Sequence, residues 1–167
     1  MGIKKLISSY AAFNENANQQ IVNWLKNQKE EQLKRDIPSS FNDVLQTLNH
    51  IWAIEEVWSN DLFKSSDFVN RYSAQDLKPQ EIFEGLLNRS IKISAFVSQL
   101  SEEDLNRKIR LEKPWFMANL TLAEYLLHAF NHGTYHRGQI ITQAHALGFA
   151  DMPSTDFLFY SIAMSKK

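Results

Sequence analysis

Three histidines stand at four-residue spacing in the segment His128-Ala-Phe-Asn-His132-Gly-Thr-Tyr-His136. Side chains four apart share one helix face, each step carrying them about 40° further round. A neutral imidazole offers one lone pair, and a divalent transition metal gathers several, so an i, i+4 pair supplies two ligands at once. Zinc proteases use the same geometry, but their motif needs Glu directly after the first His. Gly133 stands there, which argues against that class.

With about 100° per residue and His132 at zero, Leu122, Leu126, Ala129, Phe130, Ile140, Ala144 and Leu147 centre near about 100°. His136, at about 40°, and His132 lie on the margin of this apolar face, whereas His128, at about -40°, turns toward solvent. His145 falls in the last turn, where a histidine complements the negative end of the helix dipole. A third ligand must come from elsewhere, and His50, beside Ile54 and Val57 at the edge of another apolar sector, is the one histidine left. Histidines on amphipathic helices are more often hydrogen-bonded boundary residues than ligands, so spacing alone leaves both readings open. Three such nitrogens would hold a metal and leave positions for water or substrate.

Glu55 and Arg137 fall in apolar sectors, where unpaired charge is costly. They are expected to find partners, with each other as one option and the surface as the other. Glu55, His128 and Tyr135 are the candidate general bases near a metal, although Tyr135, near about 300°, is expected to point away.

Four long helices must carry these residues. The first bears the stripe Tyr10, Phe13, Asn14, Ala17, Ile21, Trp24 and Leu25, with Asn14 its one polar member. Lys26 to Asp36 reads as helix end and linker. Ser40 with Asp43 resembles a capping box for a second helix from about Phe41 to Phe63. Pro79 and Glu81 open a third, with the stripe Ile82, Gly85, Leu86, Ile93, Phe96, Val97 and Leu100. Ser101 and Asp104 cap a short extra turn. Residues 107–120 read as a long loop with a small hairpin, since Lys108–Glu112 alternates in the strand manner. Its Trp115, Phe116 and Met117 are expected to pack on the bundle, the alternatives being a site mouth or a dimer contact. Thr121 and Glu124 cap the fourth helix, which runs to about Leu147 before Gly148. A short helix over about Ser154–Met164 and a frayed tail, Ser165–Lys167, finish the chain.

The expected fold is thus an all-α four-helix bundle with a C-terminal accessory helix, one domain over residues 1–167. The 167 residues carry 18 basic and 19 acidic side chains, with no basic stripe to suit nucleic acid. No apolar run approaches a membrane span, and no secretory pattern follows Met1, so the cytoplasm is the expected compartment. With no cysteine, any metal must be held by nitrogen or oxygen, and any thiol chemistry must borrow its sulfur.

The segment His128 to Ile140, with its His132-Gly-Thr-Tyr-His136-Arg-Gly-Gln core, resembles the last bundle helix of the DinB/YfiT-like family. Leu48-Asn-His50-Ile-Trp-Ala-Ile-Glu55-Glu-Val-Trp58 resembles that family's second helix, and Pro153-Ser-Thr-Asp156 its C-terminal segment. The resemblance covers essentially the whole chain. It implies a divalent metal, zinc or nickel first and iron next, held by His50, His132 and His136, with His128 outside the triad. It also implies a homodimer and a small-molecule substrate. Relatives similar in fold include transferases and isomerases that use a low-molecular-weight thiol such as bacillithiol or mycothiol. The leading expectation is therefore a thiol-dependent S-transferase. A metal-dependent hydrolase and a non-catalytic metal-binding or stress-associated bundle are the alternatives.

Overall fold

The computed structural model describes residues 2–64, 66–68 and 77–166. Its elements in chain order are α1 (Ile3–Leu25), α2 (Glu30–Leu33), α3 (Val44–Phe63), α4 (Pro79–Gln99), α5 (Glu102–Asn106), β1 (Lys108–Lys113), β2 (Phe116–Thr121), α6 (Leu122–Ala146) and α7 (Phe157–Ser165). The long helices α1, α3, α4 and α6 form the bundle. Each of α1 and α3 packs against both α4 and α6, so the connections 26–43 and 100–121 cross between helices on opposite corners.

Local chemistry sets the helix ends. Glu124 and Thr121 exchange hydrogen bonds at the start of α6, and Ser101 and Asp104 do the same at α5. At the other end of α6, Gly148 takes φ 74, the Gly148 N–H donates to the His145 carbonyl, and the Phe149 N–H donates to that of Ala144. This left-handed cap folds Phe149 back onto Trp24, ring centroids 5.8 Å apart. The second bundle helix departs from the expected start. Asp43, not Ser40, is its N-cap, accepting from the Gln46 N–H at 2.7 Å. Ser40 and the Phe41 carbonyl are engaged by Gln139 and Gln143 of α6, which hold this stretch off the helix. Likewise α7 begins only at Phe157, because Asp156 accepts from the Leu158 N–H. Within the expected 26–36 linker the chain forms the single turn α2, which buries Leu33. Of the expected tail, Ser165 ends α7 and Lys167 lies outside the described residues.

The 107–120 region is an antiparallel hairpin, paired from Lys108↔Thr121 to Lys113↔Phe116. The Tyr125 hydroxyl donates to the Ile109 carbonyl and Lys113 reaches Asp61, which ties the hairpin to α6 and α3. Phe116 packs on the core, whereas Trp115 and Met117 are 76% and 68% exposed. The expected packing of that apolar trio therefore holds for Phe116 alone, since Trp115 lies in the turn and Met117 is on the exposed face of β2.

Two apolar clusters fill the bundle. One includes Ile21, Leu25, Leu48, Trp52, Leu86 and Ile140, and the other Ile7, Ile93, Val97, Leu122, Leu126 and Phe130. On each long helix at least one buried polar residue lies between these clusters: Asn14 and Asn18 on α1, Glu55 on α3, Ser90 on α4 and Arg137 on α6. They form one network. Asn14 and Asn18 each donate through Nδ2 to Glu55 Oε1 at 2.8 Å, and Ser90 Oγ donates to Glu55 Oε2 at 2.7 Å. Arg137 Nη1 donates to both asparagine Oδ1 atoms at 2.8 Å. The expected partnership of Glu55 and Arg137 thus runs through two bridging amides, each accepting from the cation and donating to the anion. Burial pushes the Glu55 carboxyl above its usual range, against the pull of Asn14, Ser90, Arg137 and Asn18. Burial also lowers the Arg137 guanidinium to about 10, opposed by Glu55 and Tyr10.

Two glycines give opposite expectations. A Cβ on Gly85 of α4 would lie well inside contact distance of the Trp52 indole, whose Nε1 is pinned to Glu56 Oε1 at 3.0 Å. Gly85→Ala is expected to destabilise by about 1–3 kcal/mol through overpacking, despite a helix-propensity gain of about 1 kcal/mol. Gly138, on the exposed side of α6, has open space at the Cβ position, so Gly138→Ala is expected to stabilise by about 1 kcal/mol. Urea unfolding midpoints of the two variants check both signs.

Candidate metal centre

Because α3 and α6 lie side by side, His50 meets His132 and His136. His132 Nε2 lies 3.1 Å from His136 Nε2 and 3.4 Å from His50 Nε2. The three rings offer donor atoms all within 4.8 Å of one another. Two nitrogens bound to one tetrahedral zinc at about 2.0–2.1 Å are about 3.3–3.4 Å apart, so the spacing fits such an ion. Three nitrogens fill fewer than the four positions that zinc prefers.

The protonation of the rings suits ligation. Burial, then the charge of His136, lowers His50 from 6.5 to about 4. Burial, followed by His136, His50 and His128, lowers His132 to about 4. Burial also lowers His136, with the hydrogen bond to Gln139 opposing it. At neutral pH the rings are therefore uncharged and have lone pairs for a metal. Phe41 covers this cluster, its ring centroid 4.5 Å from that of His50 and 5.7 Å from that of His136.

The pH dependence follows from these directions. Between about pH 4 and 6.5 the unfolded chain binds protons at His50 and His132 that the folded, metal-free chain does not. Stability therefore rises with pH across that window and is lost as pH falls through it. Urea titrations of metal-free protein at pH 7 and 4.5 are expected to show this loss. A His50→Asn/His132→Asn variant is expected to show less of it than the wild type.

The other candidates lie at varied distances. His128 is exposed, its ring 6.2 Å from that of His132 and edge-on to Trp58 at 5.3 Å. Glu55 is in the polar core layer, with both oxygens occupied by Asn14, Asn18 and Ser90. Tyr135 is exposed as expected, yet its ring packs edge-on against His136 at 4.9 Å. His145 is exposed in the last turn of α6.

Sequence reasoning missed Gln139, Ser40 and Phe41. Gln139 was within reach, since it follows His136 by three residues and so lies on the same face. Ser40 and Phe41 come from an irregular stretch whose path no periodicity records. Asn18 was missed as well, although it sits one turn from the Asn14 that interrupts the first apolar stripe.

A four-helix bundle with three histidines converging from two adjacent helices defines the class: a helical protein with a candidate metal centre. The DinB family model matches residues 1–165, and the chain belongs to the DinB family. It is 31% identical over 157 residues to Protein DinB of Bacillus subtilis (strain 168), covering 89% of each chain. In fold it is similar to a DinB-like protein from Bacillus cereus ATCC 10987, with a TM-score of 0.67 and 17% identity over 86% of this chain and 91% of that one. It is similar also to a DinB-like protein from Bacillus subtilis, with a TM-score of 0.59 and 16% identity over 92% and 97% of the two chains. Family and histidine cluster together are compatible with a metal-binding protein. Among the described residues, no helix is long and apolar enough to cross a membrane.

Proposed function

We propose that the chain is a metal-dependent S-transferase. In this reading His50, His132 and His136 hold a divalent transition metal, zinc or nickel before iron. The substrates are a low-molecular-weight thiol and a small organic molecule. The supporting observation is the convergence of three neutral imidazole nitrogens with no thiolate or carboxylate among them. A divalent ion held there acts as a Lewis acid that favours the deprotonated form of a thiol or water. The chain has no cysteine, so the sulfur comes from a co-substrate. In this reading His128, exposed one turn from His132 and edge-on to Trp58, takes up the released proton. Glu55 serves this role poorly, because its carboxylate is enclosed by three donors.

The reading is tested by reconstituting the protein with zinc or nickel and assaying thiol transfer to electrophilic small molecules. Turnover that needs both metal and thiol, and disappears in His132→Ala, supports it. Turnover that needs metal and water but no thiol selects the hydrolase. Bound metal with no turnover selects the non-catalytic bundle.

The same proposal includes a homodimer. The helix α7 has no charged residue, and Leu158 and Phe159 are 62% and 63% exposed, with Ile162 and Met164 also outward. Its inner residues Phe157 and Tyr160 are occupied by Tyr10 and Phe13 of α1. A contiguous apolar face of this kind suits a second copy of the chain. Sedimentation equilibrium is expected to give a dimer for the wild type and a monomer for Leu158→Asp/Phe159→Asp. A monomeric wild type contradicts the expectation.

A further inference from the structure

We propose that Gln139 is a positioning residue for the metal centre: its side-chain amide, steadied by Ser40, keeps His136 in the tautomer that presents Nε2 to an ion. The inference rests on the metal-binding reading above. His136 Nδ1 lies 2.7 Å from Gln139 Oε1, and Gln139 Nε2 donates to Ser40 Oγ at 2.9 Å. An amide oxygen carries no proton, so the bond to His136 requires the proton on Nδ1, and Nε2 then bears the lone pair. Nε2 is the atom that faces His132 Nε2 at 3.1 Å. An amide turned the other way would donate to Nδ1, put the ring proton on Nε2 and block ligation.

The support extends beyond one hydrogen bond. Ser40 and Phe41 precede α3 and form a short strap over the cluster. The Phe41 carbonyl accepts from Gln143 Nε2 at 3.0 Å, and the Thr47 hydroxyl lies 3.0 Å from Gln143 Oε1. The Phe41 ring lies over His50 at an interplanar angle of 32°. The strap thereby fastens α6 to the start of α3 and touches two of the three ligand rings, His50 through Phe41 and His136 through both Phe41 and Gln139. His132 Nδ1, by contrast, is buried with no hydrogen-bond partner among the described residues. Histidine ligands commonly donate their second ring N–H to an acceptor, and loss of that acceptor weakens metal binding by about 10–100-fold.

Two substitutions test the role. Gln139→Leu removes the acceptor while keeping good helix propensity, and Gln139→Glu keeps an acceptor that cannot be turned round. Long-range proton–nitrogen NMR of the metal-free wild type is expected to place the His136 proton on Nδ1, with that preference lost in Gln139→Leu. Zinc affinity, measured by competition with a chromophoric chelator, is expected to fall about 10–100-fold in Gln139→Leu and to recover in Gln139→Glu. Thermal unfolding of the metal-free variants confirms that each is folded. A wild-type His136 protonated on Nε2 overturns the proposal, as does zinc binding indifferent to Gln139→Leu. A wild-type protein that takes up no zinc overturns the metal reading, and this proposal with it.

Discussion

Arg137→Met is expected to destabilise the protein by about 3–5 kcal/mol, the cost of leaving a buried charge without its counter-charge. Arg137 is 1% exposed, and its Nη1 is the donor shared by Asn14 and Asn18. Without it, both asparagine Oδ1 atoms lose this donor, and the Glu55 carboxylate stays enclosed with only neutral donors. Methionine fills much of the volume, so the loss reports charge and hydrogen bonding rather than a cavity. The pH dependence identifies the cause. Removing the cation raises the folded-state pKa of Glu55 further above its ordinary 4.5. A raised carboxyl contributes stability that is present below the unfolded value and lost as pH rises through the folded one. The deficit of the variant should therefore grow from acidic toward neutral pH. Chemical denaturation at several pH values measures it. A deficit below about 1 kcal/mol, or one that does not change with pH, contradicts the charge-network account.

The second large effect is linkage between metal and stability. Zinc at about 100 times its dissociation constant should stabilise the folded chain by about 2.7 kcal/mol, which for a protein of this size raises Tm by about 5–11 °C. His132→Ala should abolish that increment. Its Nε2 lies 3.1 Å from that of His136 and 3.4 Å from that of His50, and its loss leaves one nitrogen from each helix. The metal-free variant should differ from the metal-free wild type by no more than about 1 kcal/mol, since His132 is half-buried and its Nδ1 has no partner to lose. Calorimetry with and without zinc reads both quantities. An undiminished zinc increment in His132→Ala would remove this histidine from the ligand set.

The bundle was legible because each long helix carries its own period and some carry their own caps. Thr121 with Glu124, Ser101 with Asp104, and Gly148 act where the sequence suggests, because a cap depends only on neighbours within one turn. The clustering of His50, His132 and His136 was legible for a related reason. Helical spacing fixes their faces, and the family likeness supplies the pairing of α3 with α6, which no angle calculation contains. Long-range choices in irregular backbone were not legible. Ser40 is a plausible cap by local chemistry, yet its hydroxyl is engaged 99 residues away by Gln139. Glu55 and Arg137 are recognisably misplaced charges, but the amides between them come from α1, and only Asn14 left a trace in its stripe. Glu55 shows the same limit as a candidate base. Its position on the helix says that it points inward, and tertiary contacts decide whether inward means the metal cluster or the polar core layer.

Metal analysis of the purified protein tests the central claim most directly. The protein should be stripped with chelator, reconstituted with zinc, nickel or cobalt and freed of excess ion. The account predicts one divalent ion per chain in the wild type and less than stoichiometric metal in His50→Ala, His132→Ala and His136→Ala. Cobalt should give the visible absorption of a nitrogen-ligated, four- or five-coordinate site. Wild-type protein that is folded and still retains no stoichiometric divalent metal after reconstitution would contradict it.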